Sequence, residues 1–460
     1  MNKLIILLLI VITGFAFSTL QKPLEEPEPI YIPESVQRTG DAKKGYEYLV
    51  TGDYLKSGVP YDFFSMALGK DNKNFLKREG LNASVSHEFT VVKAQNGENV
   101  VAPNCLQCHA QIFDDKLYIG LGNSTIDFSA GQKLDASRME FLEKMLKKTS
   151  PKKYQAAASF ITVAKTIGPL ISTAVRGVNT ADRLAAVLAA HRDPVTFKWI
   201  STAQLDIPDE VIPSDVPAWW LLKKKHAMFY NGFGRGDFGK FLMASNLLTV
   251  NDTSESKEVD SHFNDVLSYL YSLEPPKFPK TVNKPLAKEG AIVFTKNCSK
   301  CHGKYGSPEE YPNLLIQGSV IKTDSLLYKS NYQNPQFVEW FNKSWFSQGE
   351  HPAILEPFEG YIAPPLDGVW ITAPYLHNGS VPTIEALLNS KIRPTYWQRD
   401  FDSLQYDYEK LGWVYAKKDA PLNSTVYNTT LPGYGNYGHY FGDKLTAKER
   451  KAVIEYLKTL

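Results

Sequence analysis

The chain has 460 residues, of which 43% are hydrophobic and 22% are charged, and its formal net charge is +2. This length and composition allow two or three packed domains. The nearly balanced charge excludes a polyanionic partner such as nucleic acid.

The amino-terminal segment is short and apolar. Lys3 precedes an apolar run from Leu4 to about Phe17, a pattern typical of a bacterial secretory signal. The run is shorter than the ~20 apolar residues of a membrane span, and no clear cleavage site follows it. We therefore expect residues 1–20 to be a signal peptide or an uncleaved anchor, and residues 21–39, rich in proline and glutamate, to be an extended tether. The protein would be periplasmic or secreted, either free or held at the membrane by this segment.

A first unit is predicted over residues 40–280. It opens with a helix around Asp41 to Gly52, and its closing helix carries apolar residues at helical spacing, namely Phe263, Val266, Leu267 and Leu270. A proline-rich stretch after Leu273 marks a linker, so we place the boundary near Lys280.

Two copies of one motif contain all four cysteines. Both match CxxCH, the attachment site of c-type haem, and they consist of Cys105, Cys108 and His109 and of Cys298, Cys301 and His302. Two thiols at this spacing bond to the two vinyl groups of one porphyrin, while the adjacent histidine binds the iron. The motifs therefore predict two covalently bound haems with His109 and His302 as proximal ligands. A zinc ribbon or two redox dithiols would use the same CxxC pairs, but the histidine beside each pair favours haem.

A long insertion separates His109 from the closing helix of the first unit, and helices are predicted in it over residues 137–148 and 181–190. A minimal electron carrier needs no such segment. We expect it to shield one haem face and to build a substrate pocket. An interface between the two haem domains would explain the insertion as well.

The second unit is predicted over residues 281–460. It opens with a helix around Pro285 to Lys296 and closes with a helix that Thr446 and Glu449 begin as a capping box. Apolar residues recur along the closing helix at Val453, Tyr456, Leu457 and Leu460. Both units thus have the layout of a cytochrome c domain. The predicted fold is mainly α, with two cytochrome c-type haem domains, a large and partly helical insertion in the first, and long loops.

The sixth ligand of the second haem is predicted to be a histidine, because no methionine lies beyond Met243. The candidates are His439, His377 and, less favoured, His351. His439 lies in a glycine-rich loop just before the closing helix, where a flexible backbone can bring an imidazole over the ring. A structural or surface role is the alternative for each of these histidines.

Several sequence blocks resemble a known family. Both CxxCH motifs and residues 373–383 resemble the dihaem cytochrome c peroxidase superfamily. Within it the chain is most similar to the bacterial rubber oxygenase type, through residues 216–225, 228–237 and 438–442.

The resemblance implies a division of labour between the haems. The haem on His109 would bind oxygen or peroxide, and the haem on His302 would be six-coordinate and relay electrons, with His439 as its distal ligand and His377 near the haem edge. The resemblance leaves open a calcium ion between the domains, as in related peroxidases. The missing methionine after residues 373–383 counts against the peroxidase branch.

An apolar, ligand-free distal face would suit an oxygen-handling haem at the first site. Trp220, Phe229 and Phe233 are the aromatic residues we assign to it together with Trp219, and core packing is their alternative. Arg235 is the candidate cation for the haem propionates, with an ordinary surface position as its alternative. Two other histidines, His87 and His226, would close the site if either bound the iron. The run Lys223 to Lys225 is predicted to be a solvated face.

The sequence therefore predicts a periplasmic dihaem oxidoreductase that activates oxygen and oxidises or cleaves an unidentified apolar organic substrate. A second hypothesis is a peroxidase that takes electrons from a small periplasmic electron-transfer protein and reduces hydrogen peroxide. A third is an electron-transfer protein in which both haems are six-coordinate.

Overall fold

The computed structural model describes residues 28–129 and 136–460. The fold is mixed, with 40% helix and 15% strand, so the prediction of a mainly α chain is confirmed only in part. The strands are two to five residues long. Alternating patterns of that length are too short to be recognised in a sequence. The predicted signal segment lies outside the described residues, and no helix within them is long and apolar enough to cross a membrane.

The helices connect through long loops. In chain order they are α1 Ala42–Thr51, α2 Tyr61–Leu68, α3 Leu106–His109, α4 Ala136–Thr149, α5 Pro151–Ile167, α6 Ala181–Ala190, α7 Phe238–Leu242, α8 Thr253–Ser272, α9 Lys284–Asn297, α10 Ser299–His302, α11 Gly318–Ile321, α12 Leu326–Gln333, α13 Pro335–Lys343, α14 Ile384–Leu387 and α15 Ala447–Leu457. The predicted insertion helices correspond to α4 and α6. The predicted linker lies between α8 and α9.

The strands form small antiparallel sheets. They are β1 Ile30–Tyr31, β2 Val59–Pro60, β3 Phe89–Lys93, β4 Asn99–Pro103, β5 Ala110–Phe113, β6 Lys116–Ile119, β7 Gly234–Gly236, β8 Leu314–Gln317, β9 Ala353–Leu355, β10 Gly360–Ile362, β11 Tyr396–Arg399, β12 Tyr406–Asp407, β13 Gly412–Trp413, β14 Tyr415–Lys418 and β15 Val426–Asn428. The sheet orders are β1-β8-β10, β2-β4-β3, β5-β6, β7-β9, β14-β11-β15 and β12-β13. Because β1 pairs with β8 and β7 with β9, two sheets join segments from both sides of Lys280.

In each unit the closing helix packs on the opening helix, as the sequence layout predicts. Helix α1 packs on α8, and α9 packs on α15. A Cβ atom on Gly45 would lie 1.9 Å from the backbone oxygen of Asp265, and one on Gly290 would lie 1.9 Å from that of Ala452. Any side chain at either glycine would push the two backbones apart, so both crossings depend on glycine.

Side-chain caps begin the outer helices. The Asp41 carboxylate accepts hydrogen bonds from the backbone N–H groups of Lys43 and Lys44 at the start of α1. The predicted capping box of Thr446 and Glu449 is confirmed at the start of α15.

The described part of the predicted tether is extended but packed against the protein. Ile32 is buried, and its backbone N–H donates to the Asn313 carbonyl at 2.9 Å. Arg38 forms a buried, bidentate ion pair with Asp237, in which both hydrogen bonds are 2.8 Å long. Residues 28–39 are therefore extended, as predicted, but they pack against the protein instead of forming an unpacked tether, through contacts with residues far away in the sequence.

Replacing Gly290 with alanine should lower the free energy of unfolding by about 1–3 kcal/mol, because the new methyl group must separate α9 from α15. Denaturant unfolding of the purified protein measures this change. Lys288→Ala, on the exposed face of the same helix, is the control and should change stability little. Equal stability of the two variants would contradict the tight crossing.

Candidate haem attachment sites

Both CxxCH motifs form the same single helical turn. The backbone N–H of His109 donates to the Cys105 carbonyl at 3.0 Å, and that of His302 donates to the Cys298 carbonyl at 3.0 Å. This turn brings the two cysteines and the histidine of each motif to one side of the chain. The two motifs therefore have the same local backbone structure.

The imidazole of His302 is held in one orientation and faces a second imidazole. Its Nδ1 donates to the Pro364 carbonyl at 2.9 Å, which leaves Nε2 unprotonated and able to bind a metal. The rings of His302 and His439 have centroids 6.2 Å apart with an interplanar angle of 57°. Two imidazoles that bind the same metal ion, each at about 2 Å, would have ring centroids roughly 6 Å apart. The pair therefore fits axial ligation of a haem iron.

Both imidazoles of this pair are neutral. Burial lowers the pKa of His439 to about 3, and it also lowers the pKa of His302. Neutral imidazole is the form that binds metal ions.

A network of hydrogen bonds fixes the loop that carries His439. One carboxylate oxygen of Asp324 accepts from the backbone N–H groups of Gly433 at 3.0 Å and Gly435 at 3.1 Å. The Arg393 guanidinium donates to the Gly438 carbonyl at 2.8 Å. Since His439 itself has a left-handed φ of 47°, this loop is held in a conformation that a free chain would rarely adopt.

His377 is turned toward a tyrosine. Its Nε2 lies 3.0 Å from the Tyr361 hydroxyl, and the two rings stack at 4.2 Å. The same hydroxyl donates its proton to the Asp324 carbonyl at 2.6 Å. Nε2 of His377 must therefore carry the proton in the first contact, which leaves it no lone pair for a metal. Nε2 of His377 is thus excluded as a ligand, and among the described residues the ring of His439, not that of His377, contacts the His302 ring, which favours His439 as the second ligand.

The surroundings of His109 differ from those of His302. Its ring stacks on the Trp219 indole at 4.3 Å with an interplanar angle of 15°, and its buried Nδ1 has no hydrogen-bond partner. Burial lowers the pKa of His109 to about 3, so this imidazole is also neutral. In the ranges that the structure describes, no other histidine ring contacts it. The rings of His87 and His226 lie instead against Phe75 and Tyr31.

The predicted pocket residues separate into two groups. Phe229 and Phe233 lie together, with ring centroids 5.1 Å apart, and their side chains are 38% and 4% exposed. Trp220 lies elsewhere. Its indole donates to the Asp367 carbonyl at 2.9 Å and packs in a hydrophobic cluster formed mostly by residues of the second unit, among them Trp370. The structure therefore does not bring Trp220 to the two phenylalanines.

The structure also shows where the charged residues near Phe229 and Phe233 in the sequence lie. Arg235 is buried, which excludes the surface alternative. The predicted solvated face is wrong for Lys225, which is buried, whereas Lys223 and Lys224 form ion pairs with Glu274 and Glu309. A short 3-10 helix spans Trp219–Lys224. The backbone of the next residue, Lys225, is extended, and its side chain points into the protein. Composition alone does not reveal this change of direction.

The structure does not support a zinc ion bound by the cysteines. Over residues 28–129 and 136–460, no group of three or more His, Cys, Asp or Glu side chains is arranged to hold a metal ion. The two CxxC pairs therefore do not combine into the four-ligand site that a structural zinc ion uses. A calcium ion between the units remains an implication of the resemblance alone.

Known proteins share parts of this sequence. Residues 360–398 match a family model described as RoxA-like, cytochrome c-like. Two similar proteins come from Sinorhizobium fredii (strain NBRC 101917 / NGR234). "Uncharacterized protein y4iM" is 26% identical over 315 residues, which cover 60% of this chain and 70% of the relative. "Uncharacterized protein y4iJ" is 30% identical over 253 residues, which cover 41% of each chain. The family match, over this small part of the chain, confirms the resemblance to rubber oxygenase-like dihaem cytochromes and indicates a haem-containing c-type cytochrome oxidoreductase.

Proposed function

We propose that the protein is a dihaem oxidoreductase with one open haem site on His109 and one six-coordinate site on His302. The observation that carries this proposal is the difference between the two imidazoles. His302 faces His439 at a centroid distance of 6.2 Å, whereas the described residues place only the Trp219 ring against His109. An iron with a free position can bind a small molecule, and an iron with two histidine ligands transfers electrons.

At the second site the chain supplies attachment, ligation and rigidity. Cys298 and Cys301 would hold the porphyrin, while His302 and His439 would bind the iron. The hydrogen bond from His302 to the Pro364 carbonyl keeps its ring from rotating. A rigid ligand pair suits electron relay, because little rearrangement accompanies a change in the charge of the metal.

At the first site the chain would supply an apolar approach to the cofactor. Cys105 and Cys108 would hold the porphyrin, and Trp219 would fix the plane of the His109 ring. Bound haem iron would supply the capacity to bind and activate oxygen. Phe229 and Phe233 extend from the partly exposed surface into the core, so they suit an apolar organic substrate and exclude water.

The second iron should become high-spin when His439 is replaced by alanine, because the iron then loses one of its two axial ligands. His377→Ala is the matched control, since its Nε2 donates to Tyr361, and it should leave the second haem low-spin. Electron paramagnetic resonance of the purified holoprotein measures both variants. The opposite pattern would assign the distal position to His377.

The reduced holoprotein should consume oxygen when an apolar alkene is supplied, for which short polyisoprene chains serve as the probe. Oxygen uptake in an electrode chamber measures this, with His109→Ala as the negative control. Consumption of hydrogen peroxide with a reduced electron carrier, without oxygen uptake, would indicate a peroxidase instead. Two inert low-spin haems would indicate an electron-transfer protein.

A further inference from the structure

Three buried polar side chains lie in or next to one closed loop in the first unit. The loop runs from Met228 to Gly234 and is closed where the Met228 N–H donates to the Gly234 carbonyl at 2.9 Å. Lys225 precedes the loop, Asn231 lies within it and Arg235 follows it. Their exposed fractions are 8%, 1% and 7%. All three side chains are therefore more than nine-tenths buried on one short segment.

Two of these side chains, Asn231 and Arg235, carry buried polar atoms without a hydrogen-bond partner within the described part of the chain. Neither the amide oxygen nor the amide nitrogen of Asn231 has a hydrogen bond, and neither do Nε and Nη1 of Arg235. Arg235 has a carboxylate of Glu356 at 3.6 Å, which is too long for a hydrogen bond. Burial alone lowers the pKa of Lys225 to about 8, with no carboxylate to oppose the shift.

Buried cations with so little compensation destabilise the folded chain, since Arg235 has only the exposed Glu356 carboxylate at 3.6 Å and burial alone acts on Lys225. Each buried charge costs several kcal/mol unless an opposite charge or a set of hydrogen bonds compensates it. The donors on this segment, an ammonium, a guanidinium and an amide, are those that bind carboxylates. The segment therefore has the composition of an anion site whose anion is not part of the described chain.

The position of the loop indicates where that anion comes from. Met228 and Phe233 pack in the same hydrophobic core as Trp219, the residue stacked on His109, and as Leu106 of the first CxxCH motif. The nearby carboxylate of Asp215 already accepts a hydrogen bond from Tyr230 at 2.6 Å. A haem attached at this motif would bring two carboxylates, its propionates, into this core.

We infer that Lys225, Asn231 and Arg235 together bind the carboxylates of the haem attached at Cys105 and Cys108. The inference rests on the proposed haem attachment and extends it from one cation to a three-residue site. Lys225 and Asn231 are the new members. Both are positioning residues for the cofactor, and the positive charge of Lys225 would favour the reduced, less positive iron.

The test is a spectroelectrochemical titration of the holoprotein under argon, which requires neither oxygen nor substrate. Lys225→Gln should shift the first haem to a lower reduction potential, because it removes a positive charge beside the propionates, and should leave the second haem unchanged. Lys225→Arg should restore the wild-type potential. Lys223→Gln removes an exposed lysine from the same run and should shift neither haem.

A second variant keeps the inference testable if Lys225→Gln does not fold. Asn231→Asp places a carboxylate in the site and should also lower the first potential. Wild-type potentials in the soluble variants would overturn the assignment. The assignment would also be overturned if added acetate changed the wild-type potential and Lys225→Gln abolished that effect. The site would then bind a small anion from solution.

The outcome separates this inference from the proposed function. A pyridine haemochrome assay counts the haems, and fewer than two per chain would contradict the attachment itself. If two haems are present and the potential shifts, but no oxygen is consumed, the carboxylate site stands and the oxygenase proposal fails.

Discussion

The structure depends on holding two neutral imidazoles at fixed positions inside the protein. The CxxCH turn brings His109 and His302 beside their cysteines, and burial keeps both rings uncharged. A buried imidazole can bind a metal in one direction only if its surroundings prevent rotation. The Trp219 stack does this for His109, and the Pro364 carbonyl does it for His302. The helix pairs of the two units form the frame around these turns.

The two units share a layout and differ in what lies opposite the imidazole. In the second unit, the Asp324 carboxylate accepts hydrogen bonds from a glycine-rich loop and Arg393 donates one to it, so that the loop is held with His439 facing His302. In the first unit, the described residues place the Trp219 ring against His109 and bring no second histidine ring to it. One scaffold can therefore support an electron-relay site and a ligand-binding site, because only the segments opposite the imidazole need to change.

The buried polar groups around Met228 to Gly234 connect cofactor binding to stability. Lys225 and Arg235 are costly in the protein alone and become favourable when an anion reaches them. If the inferred site holds the haem carboxylates, the chain would gain part of its stability from the cofactor. The sheets that join β1 to β8 and β7 to β9 also tie the two units together, so a change at either haem site acts on a shared structure.

The sequence by itself determined the two CxxCH motifs, the outer helices, the capping box of α15, and the helices α4 and α6, because spacing, periodicity and capping are local properties. It also identified His439 and Arg235 as candidates. Only the tertiary structure decided that His439 faces His302, that His377 faces Tyr361, that Trp220 lies in the other core and that Lys225 is buried. These outcomes depend on contacts between segments far apart in the chain, and on the direction in which a backbone turns, which composition does not encode.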